Sequence, residues 1–409
     1  MLSAKDNFIK NIQEKKQIRV GETRPHIKPH ATSNGSTNIP PQYFSGPQLM
    51  NLYNIPVVVP SGSNVKRVKI AVVIAFTYPK LKADLNTYWK NDINFGANST
   101  PPKINIYTMK GAKYNEAWAQ EECLDVQMVC TFNPNAIIWV VEAASDNVAD
   151  LAAAVNYATE TLKVDVVSMS WGADDTSAIV PFNDAFINTN VCYCASTGDW
   201  QSVAWPSVSS NCIAVGGTSL IWTPNSTPIR KEYTWIDAGC GYSCTVAQPN
   251  YQIDVANIRH DYRATPDVSM IASTKTSVYI VFNGNWYGIG GTSVSAPIVA
   301  SILSLANQMR FNNSKNALTT VYSVTPNSIT PNNYKPPSNH LQTCLYKTIY
   351  TNPTNYAAAF YDVTLGSGVG SVGGDSLDST NYNAGKKFDI VTGLGSPNAT
   401  NLCNQLLKL

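Results

Sequence analysis

Five strand-length apolar runs alternate with helical patterns along this chain, and that alternation constrains its fold more than any other feature. KIAVVIAF (69–76), AIIWVV (136–141), VDVVSMS (164–170), VCYCAS (191–196) and CIAVGG (212–217) carry few polar residues. Runs of this kind suit strands buried on both faces. Between them, YNEAWAQEECLDVQMVC (114–130) and NVADLAAAVNYATETL (147–162) space their apolar residues as a helix does, and SAPIVASILSLANQM (295–309) adds a further helix behind a Gly-Thr-Ser turn. The pattern predicts an α/β fold: a mostly parallel central sheet with helices on both faces. Residues 1–41 are charged at first, then rich in Pro, Ser, Asn and Gly, without hydrophobic periodicity. They read as a flexible tail, and residues 42–409 as one domain with neither a linker-like break nor an internal repeat.

Composition narrows the class of partner. Only 14% of residues are charged, against roughly 25% in ordinary soluble chains. The surface is therefore carried largely by Asn, Ser, Thr and Tyr. Such a surface tolerates acid, because few carboxylate pairs are lost on protonation, although a simple compositional bias produces the same numbers. A net charge of +2 gives no reason to expect a nucleic acid or an anionic membrane as partner. No apolar run reaches the length of a membrane span, and the first residues, MLSAKDNFIKNIQEKK, lack the apolar core of a secretory signal. Nine cysteines without a repeated spacing leave the redox compartment open. Cys192 and Cys194 share one face of a strand as packed thiols, whereas Cys240 and Cys244 suit a small-loop disulfide or half of a metal site.

The sharpest local signal for chemistry is GIGGTSVSAP (288–297). A Gly-Gly-Thr-Ser turn that feeds a helix exposes Ser293 at the helix N-terminus, where free N–H groups and the positive end of the dipole favour an oxyanion. Pro297 fits the first helical turn. A plain N-cap with turn glycines fits the same residues. A nucleophilic serine needs a base, and the four histidines (His26, His30, His260 and His340) sit in no motif that would seat one. The 114–130 helix instead carries Glu121 and Asp125 at i and i+4, about 40° apart on the wheel. Buried together, two such carboxyls cannot both ionise, so the pair can take a serine's proton and pass it on. Glu122, three residues before Asp125, competes with Glu121, and all of these acids also suit a solvated surface. ASTGDW (195–200) ends a buried strand in Gly-Asp. A protonated Asp199 there can donate to an oxyanion, or it can simply close an Asx turn.

Taken together, these three segments resemble the sedolisins, serine-carboxyl peptidases with a subtilisin-like fold in which Glu and Asp replace the His-Asp pair. EECLD matches the family's E-x-x-x-D helix, which implies Glu121 rather than Glu122 as base and Asp125 as its partner. STGDW matches the S-G-D segment and implies Asp199 in the oxyanion hole, where subtilisins carry Asn. GTSVSAP matches G-T-S-x-S-x-P and implies Ser293 as nucleophile. LYNIP, VVSMSWG, AVGGTSL and TPDVSMIAS follow in family order, with Trp171 resembling the tryptophan that lines the carboxylate network. The resemblance implies a peptidase acting in acid on peptide or protein substrates through a Ser-Glu-Asp triad and an acyl-enzyme, as an endopeptidase or a tripeptidyl-peptidase, and a monomer is expected.

It also implies a calcium ion near the C-terminus. FYDVTLGS (360–367) and GKKFDIVTGLGSP (385–397) resemble the family's two-part site, with carboxylates from Asp362 and Asp389 and backbone carbonyls from Val363, Gly385 and Lys387. Oxygen-only ligation suits a hard cation. The family usually has glycine where Lys387 stands, and two turns without an ion fit the same residues. Family members commonly carry a long prodomain, whereas about 41 residues precede the domain here. Extracellular, lysosome-like and particle-packaged settings all stay open. A catalytically retired scaffold of the same fold, serving binding or structure, is the alternative function.

Overall fold

The computed structural model describes residues 21–29, 43–62, 66–91, 94–221, 230–258, 261–276, 278–322, 336–372 and 379–408. Two short strands, β1 (Arg24–Pro25) and β2 (Lys28–Pro29), precede the central sheet. That sheet is built from β3 (Lys69–Ala75), β4 (Ile104–Thr108), β5 (Ile137–Ala143), β6 (Val166–Met169), β8 (Cys192–Ser196), β9 (Cys212–Leu220), β10 (Glu232–Thr234) and β11 (Val268–Ile271), while β7 (Trp171–Asp174) leaves it directly after β6. The spatial order is β10-β9-β8-β6-β3-β5-β4, with β11 also paired to β9. Every pairing in it is parallel except β9 with β10. A hairpin, β12 (Val278–Phe282) and β13 (Asn285–Gly290), leads into the long central helix.

The five apolar runs read from the sequence all lie in the sheet, and β3, β6, β8 and β9 are buried along nearly their whole length. Helices α1 (Glu116–Phe132), α2 (Val148–Asn156), α3 (Thr292–Asn312) and α4 (Ala399–Leu407) cover it. Edge strand β4 is only partly buried and carries little of the double-sided apolar signal. The central helix starts at Thr292, not at Ser295, so Pro297 lies in its second turn. The missing N–H there would otherwise bond the carbonyl of Ser293.

All nine cysteines are free thiols, and eight of them are buried. Cys240 and Cys244 form no disulfide: Cys244 Sγ donates to the Asp175 carbonyl at 2.9 Å instead. Residues 21–29, assigned by the sequence to an unstructured tail, are docked against the domain through β1 and β2. β1 pairs with β7, and β2 pairs with β13. A segment this short takes its hydrogen bonds from strands distant in sequence, so it carries no periodicity of its own to reveal it.

Candidate active site

Ser293 is the second residue of α3, and its position follows from the turn before it. Gly291, the N-cap, has φ 126°, a conformation that side chains resist. A Cβ at Gly291 would also collide with the His26 carbonyl oxygen and stand 2.7 Å from Asp199 Oδ2. Glycine is therefore required twice over, for the turn and for the close approach. The Ser293 N–H donates to the His26 carbonyl at 3.1 Å, and its hydroxyl reaches the Ser170 carbonyl at 3.3 Å.

Helix α1 delivers the carboxyls. Asn115 caps it by accepting from the N–H groups of Ala117 and Trp118. Two residues beyond Asp125, the Gln127 amide exchanges two hydrogen bonds with the backbone of Val281 on β12. At its end Asn133 donates to Ser304 of α3 at 2.7 Å. These contacts fix the rotation of α1 about its axis. Glu121 and Asp125 are thereby turned inward and lie wholly out of water.

The two carboxyls differ in environment. Asp125 Oδ1 accepts from the Ser170 hydroxyl at 2.6 Å, while its Oδ2 has no partner. Glu121 lies between Ser293 and Asp125, within electrostatic reach of both, with neither oxygen in a completed hydrogen bond. Burial, followed by the neighbouring Asp125, holds the Glu121 carboxyl well above the usual range. Burial likewise pushes Asp125 up to about 8, opposed by the bond from Ser170. No cation is among the groups that act on either residue. The pair is thus arranged to hold one shared proton at neutral pH.

Glu122 does not join them. Burial raises its carboxyl too, but the group that acts on it most is Glu142 of β5. The helical wheel alone could not make that distinction, because the spacings to Asp125 are nearly equivalent.

Asp199 follows β8 and meets the start of α3. Its Oδ1 accepts from the Thr292 N–H at 2.8 Å and the Thr292 hydroxyl at 2.9 Å, and that hydroxyl in turn accepts from the Gly198 N–H. Its Oδ2 is buried and unpartnered. Burial raises this carboxyl to about 7 against the opposing pull of Lys28 and Thr292. A protonated Oδ2 beside the His26 carbonyl can donate to an oxygen in that position.

Ser170 and Thr292, which hold the two aspartates, were not singled out by the sequence reading. Both were visible in it, inside VVSMSWG and GGTS. Trp171 follows Ser170 and is fully buried, its indole N–H donating to the Val73 carbonyl at 2.8 Å. Of the histidines, His340 caps a short helix and bonds Thr343 and Thr320. His26 meets Ser293 through its backbone, while its ring turns to Ser196. His30 and His260 lie outside the described residues.

At the C-terminal end, Asp362 and Asp389 converge on the turn that spans 385–389. Asp362 Oδ2 accepts from the Lys387 N–H at 2.9 Å, and Asp389 Oδ2 accepts from the Gly385 N–H at 3.0 Å. Burial pushes Asp389 up to about 6. Lys387 has φ 62°, consistent with a position that favours glycine. Val363, beside Asp362, is buried. Among the described residues no three His, Cys, Asp or Glu side chains cluster at metal-binding distance, so an ion here would depend on backbone oxygens.

Comparison with known proteins agrees with this architecture. The Subtilase family model matches residues 121–354, more than half of the chain. Kumamolisin of Bacillus sp. (strain MN-32) is 28% identical over 69% of this chain and 50% of its own length. Tripeptidyl-peptidase 1 of Dictyostelium discoideum is 25% identical over 70% of this chain and 47% of its own. The chain thus spans about half the length of these relatives. Among solved structures, Pseudomonas sedolisin, described as a serine-carboxyl proteinase complexed with pseudo-iodotyrostatin, superposes with a TM-score of 0.69 at 22% identity. It covers 89% of this chain and 98% of that one, which establishes a shared subtilisin-like fold.

The hydrogen bond from Ser170 is the one contact from outside the pair that opposes the rise in Asp125. Ser170→Ala should therefore move the Asp125 titration upward from about 8, and carboxyl-carbon NMR across pH 4 to 10 reads it directly. A titration left unmoved would mean that Ser170 does not set the state of the pair.

Proposed function

This chain belongs to the subtilase family and matches its sedolisin-type members, and on that premise we propose that it is a serine-type peptidase working in acid through Ser293, Glu121, Asp125 and Asp199. One observation carries the reading. A serine at a helix N-terminus shares a dry pocket with carboxyls that burial has pushed above their ordinary range and with an unpartnered aspartate oxygen.

The chemistry follows from where the protons reside. With the proton of the pair on Asp125 Oδ2, Glu121 is free to accept. Ser293 Oγ attacks the peptide carbonyl carbon while Glu121 takes its proton. The oxygen that becomes negative is received by the Ser293 N–H and by the protonated Asp199. Glu121 then returns the proton to the departing amine, leaving an acyl ester on Ser293. Water, activated by the same Glu121, hydrolyses the ester. Ser170 positions Asp125, and Thr292 aims Asp199.

Activity should therefore depend on protons in a definite direction. Asp199 donates only while protonated, so its contribution is complete well below pH 7 and is lost as pH rises through about 7. The expected profile of kcat/KM falls above that point, with about a tenfold loss for each further pH unit. Ser293→Ala should reduce hydrolysis to background at every pH, with its fold intact by circular dichroism. Activity that climbs steadily from pH 5 to 9, or that survives in Ser293→Ala, would refute the mechanism. Asp199→Asn supplies an N–H donor whose availability no longer titrates. The variant should keep the alkaline activity that the parent loses, whereas Asp199→Ala, which removes the donor, should cost on the order of 10²–10³ in kcat.

The calcium reading is proposed on the same footing. Asp362 and Asp389 would supply the carboxylates and Val363, Gly385 and Lys387 the carbonyls, and the residues fit a hard cation because two acids converge on one turn. The burial of Asp389 is what a bound divalent ion would offset. The ion would brace the C-terminal loops and takes no part in bond cleavage. Calcium at 100 times its Kd should stabilise the fold by about 2.7 kcal/mol, visible as a rise in Tm of roughly 2 °C or more. Chelation should reverse it, magnesium should not reproduce it, and an unchanged Tm would argue against the site.

A further inference from the structure

Trp200 follows Asp199 directly and takes no part in the steps above. It stands beside the groove that leads past Ser293, where residues 24–29 lie extended. Arg24 and Pro25 pair antiparallel with Gly172 and Trp171, and Lys28 and Pro29 pair with Gly290 and Ile289. Between these pairings the His26 carbonyl receives the Ser293 N–H at 3.1 Å, the position an oxyanion would occupy. The strand thus has the register of a bound peptide, with His26 in the place before the reacting bond and Ile27 in the place after it. Its side chains report what each wall of the groove can hold.

Residues two apart on an extended strand project to one face, and here that face is turned to Trp200. The Arg24 guanidinium lies 3.9 Å from the centre of the indole, the His26 ring meets it edge-on at 5.8 Å, and Lys28 Nζ stands 5.8 Å away. Of the aromatic side chains, tryptophan attracts a cation most strongly to its face. Each end of the row also meets a carboxylate. Asp174 of β7 is 3.8 Å from Arg24, and Asp237, in the loop after β10, is 3.4 Å from Lys28. Trp235 offers Lys28 a second ring at 5.5 Å. The middle of the row is enclosed instead: the His26 ring is fully buried, and a Cβ at Gly172 would stand 2.6 Å from its Cε1.

Resting on the peptidase reading above, we propose that Trp200, together with Asp174 and Asp237, sets substrate choice, and that the preferred substrates are peptides with a basic residue third before the scissile bond and another second after it. Arginine suits the first place better than lysine, because a planar guanidinium stacks on the indole while it pairs with a carboxylate. An acidic residue in either place would face a carboxylate and the electron-rich face of the ring. Neither place touches the reacting atoms, so these residues decide which peptides are cut and leave the bond-making steps unchanged. Half-exposed ion pairs and cation–π contacts each contribute up to about fivefold.

The test digests a peptide pool of mixed sequence at pH 5, aligns the cut sites by mass spectrometry, and then compares kcat/KM on matched quenched peptides that differ only at the two places. Basic residues should be enriched at both, and arginine in place of alanine third before the bond should raise kcat/KM by roughly two- to fivefold. Trp200→Ala should level both preferences together, and Trp200→Phe should keep part of each. Asp237→Lys, a change at a partly exposed side chain, should invert the preference second after the bond in favour of glutamate while leaving the other place alone. A merely structural defect would slow all the peptides alike and leave these ratios unmoved. Cleavage without basic enrichment at the two places, or a parental profile in Asp237→Lys, would overturn the inference and leave the peptidase reading standing. Cleavage of no peptide at all would overturn the peptidase reading itself.

Discussion

The site depends on carboxyl groups that the fold has removed from water without giving them a cation. Glu121 and Asp125 answer only to each other, to hydroxyls and to Asp199. Two other buried acids, Asp267 and Glu232, follow the opposite rule. Arg263, equally buried, grips Asp267 with both guanidinium nitrogens, and Asp267 also receives the Ala214 N–H and the Tyr346 hydroxyl. Glu232 is met by Arg230 through Nε alone, at 2.7 Å. The contrast separates a charge that is kept for structure from a proton that is kept for transfer. Because burial raises the active-site acids, the folded chain retains protons that the unfolded chain gives up. The stability they contribute is complete below about pH 4 and declines as pH rises through 7 to 8.

Such an arrangement requires rigid supports, and the parallel sheet supplies them. Ser170 follows β6 and Asp199 follows β8, two adjacent parallel strands, so their side chains emerge at the same end of the sheet. The N-terminus of α3 points its free N–H groups toward that end. α1 is locked to β12 by Gln127 and to α3 by Asn133. A rotation of α1 by about 100° would exchange Glu121 for Glu122, which faces Glu142 instead, and the pair at Ser293 would be lost.

Much of this was legible in the sequence because burial on both faces leaves an unmistakable mark. The runs that became β3, β5, β6, β8 and β9 are apolar for that reason, and the short motifs around Glu121, Asp199 and Ser293 carried the chemistry. What stayed hidden was set by partners distant along the chain. The choice between Glu121 and Glu122 could not come from helical spacing. The start of α3 at Thr292 was masked by Pro297, which is easily read as an opening residue. The docking of residues 21–29 was invisible because its hydrogen bonds come from Asp146, Ser170, Trp171, Gly172 and Gly290 rather than from any internal pattern.

The central claim is that Ser293, served by protonated carboxyls, carries the acyl group during peptide cleavage. The most direct measurement is rapid acid quenching of the enzyme during turnover of a slow peptide ester at pH 5, followed by peptide mapping. An acyl adduct on the peptide that contains Ser293, forming and decaying at rates consistent with turnover, is the result expected. Turnover with that peptide unmodified, or with the adduct on another residue, would contradict the account.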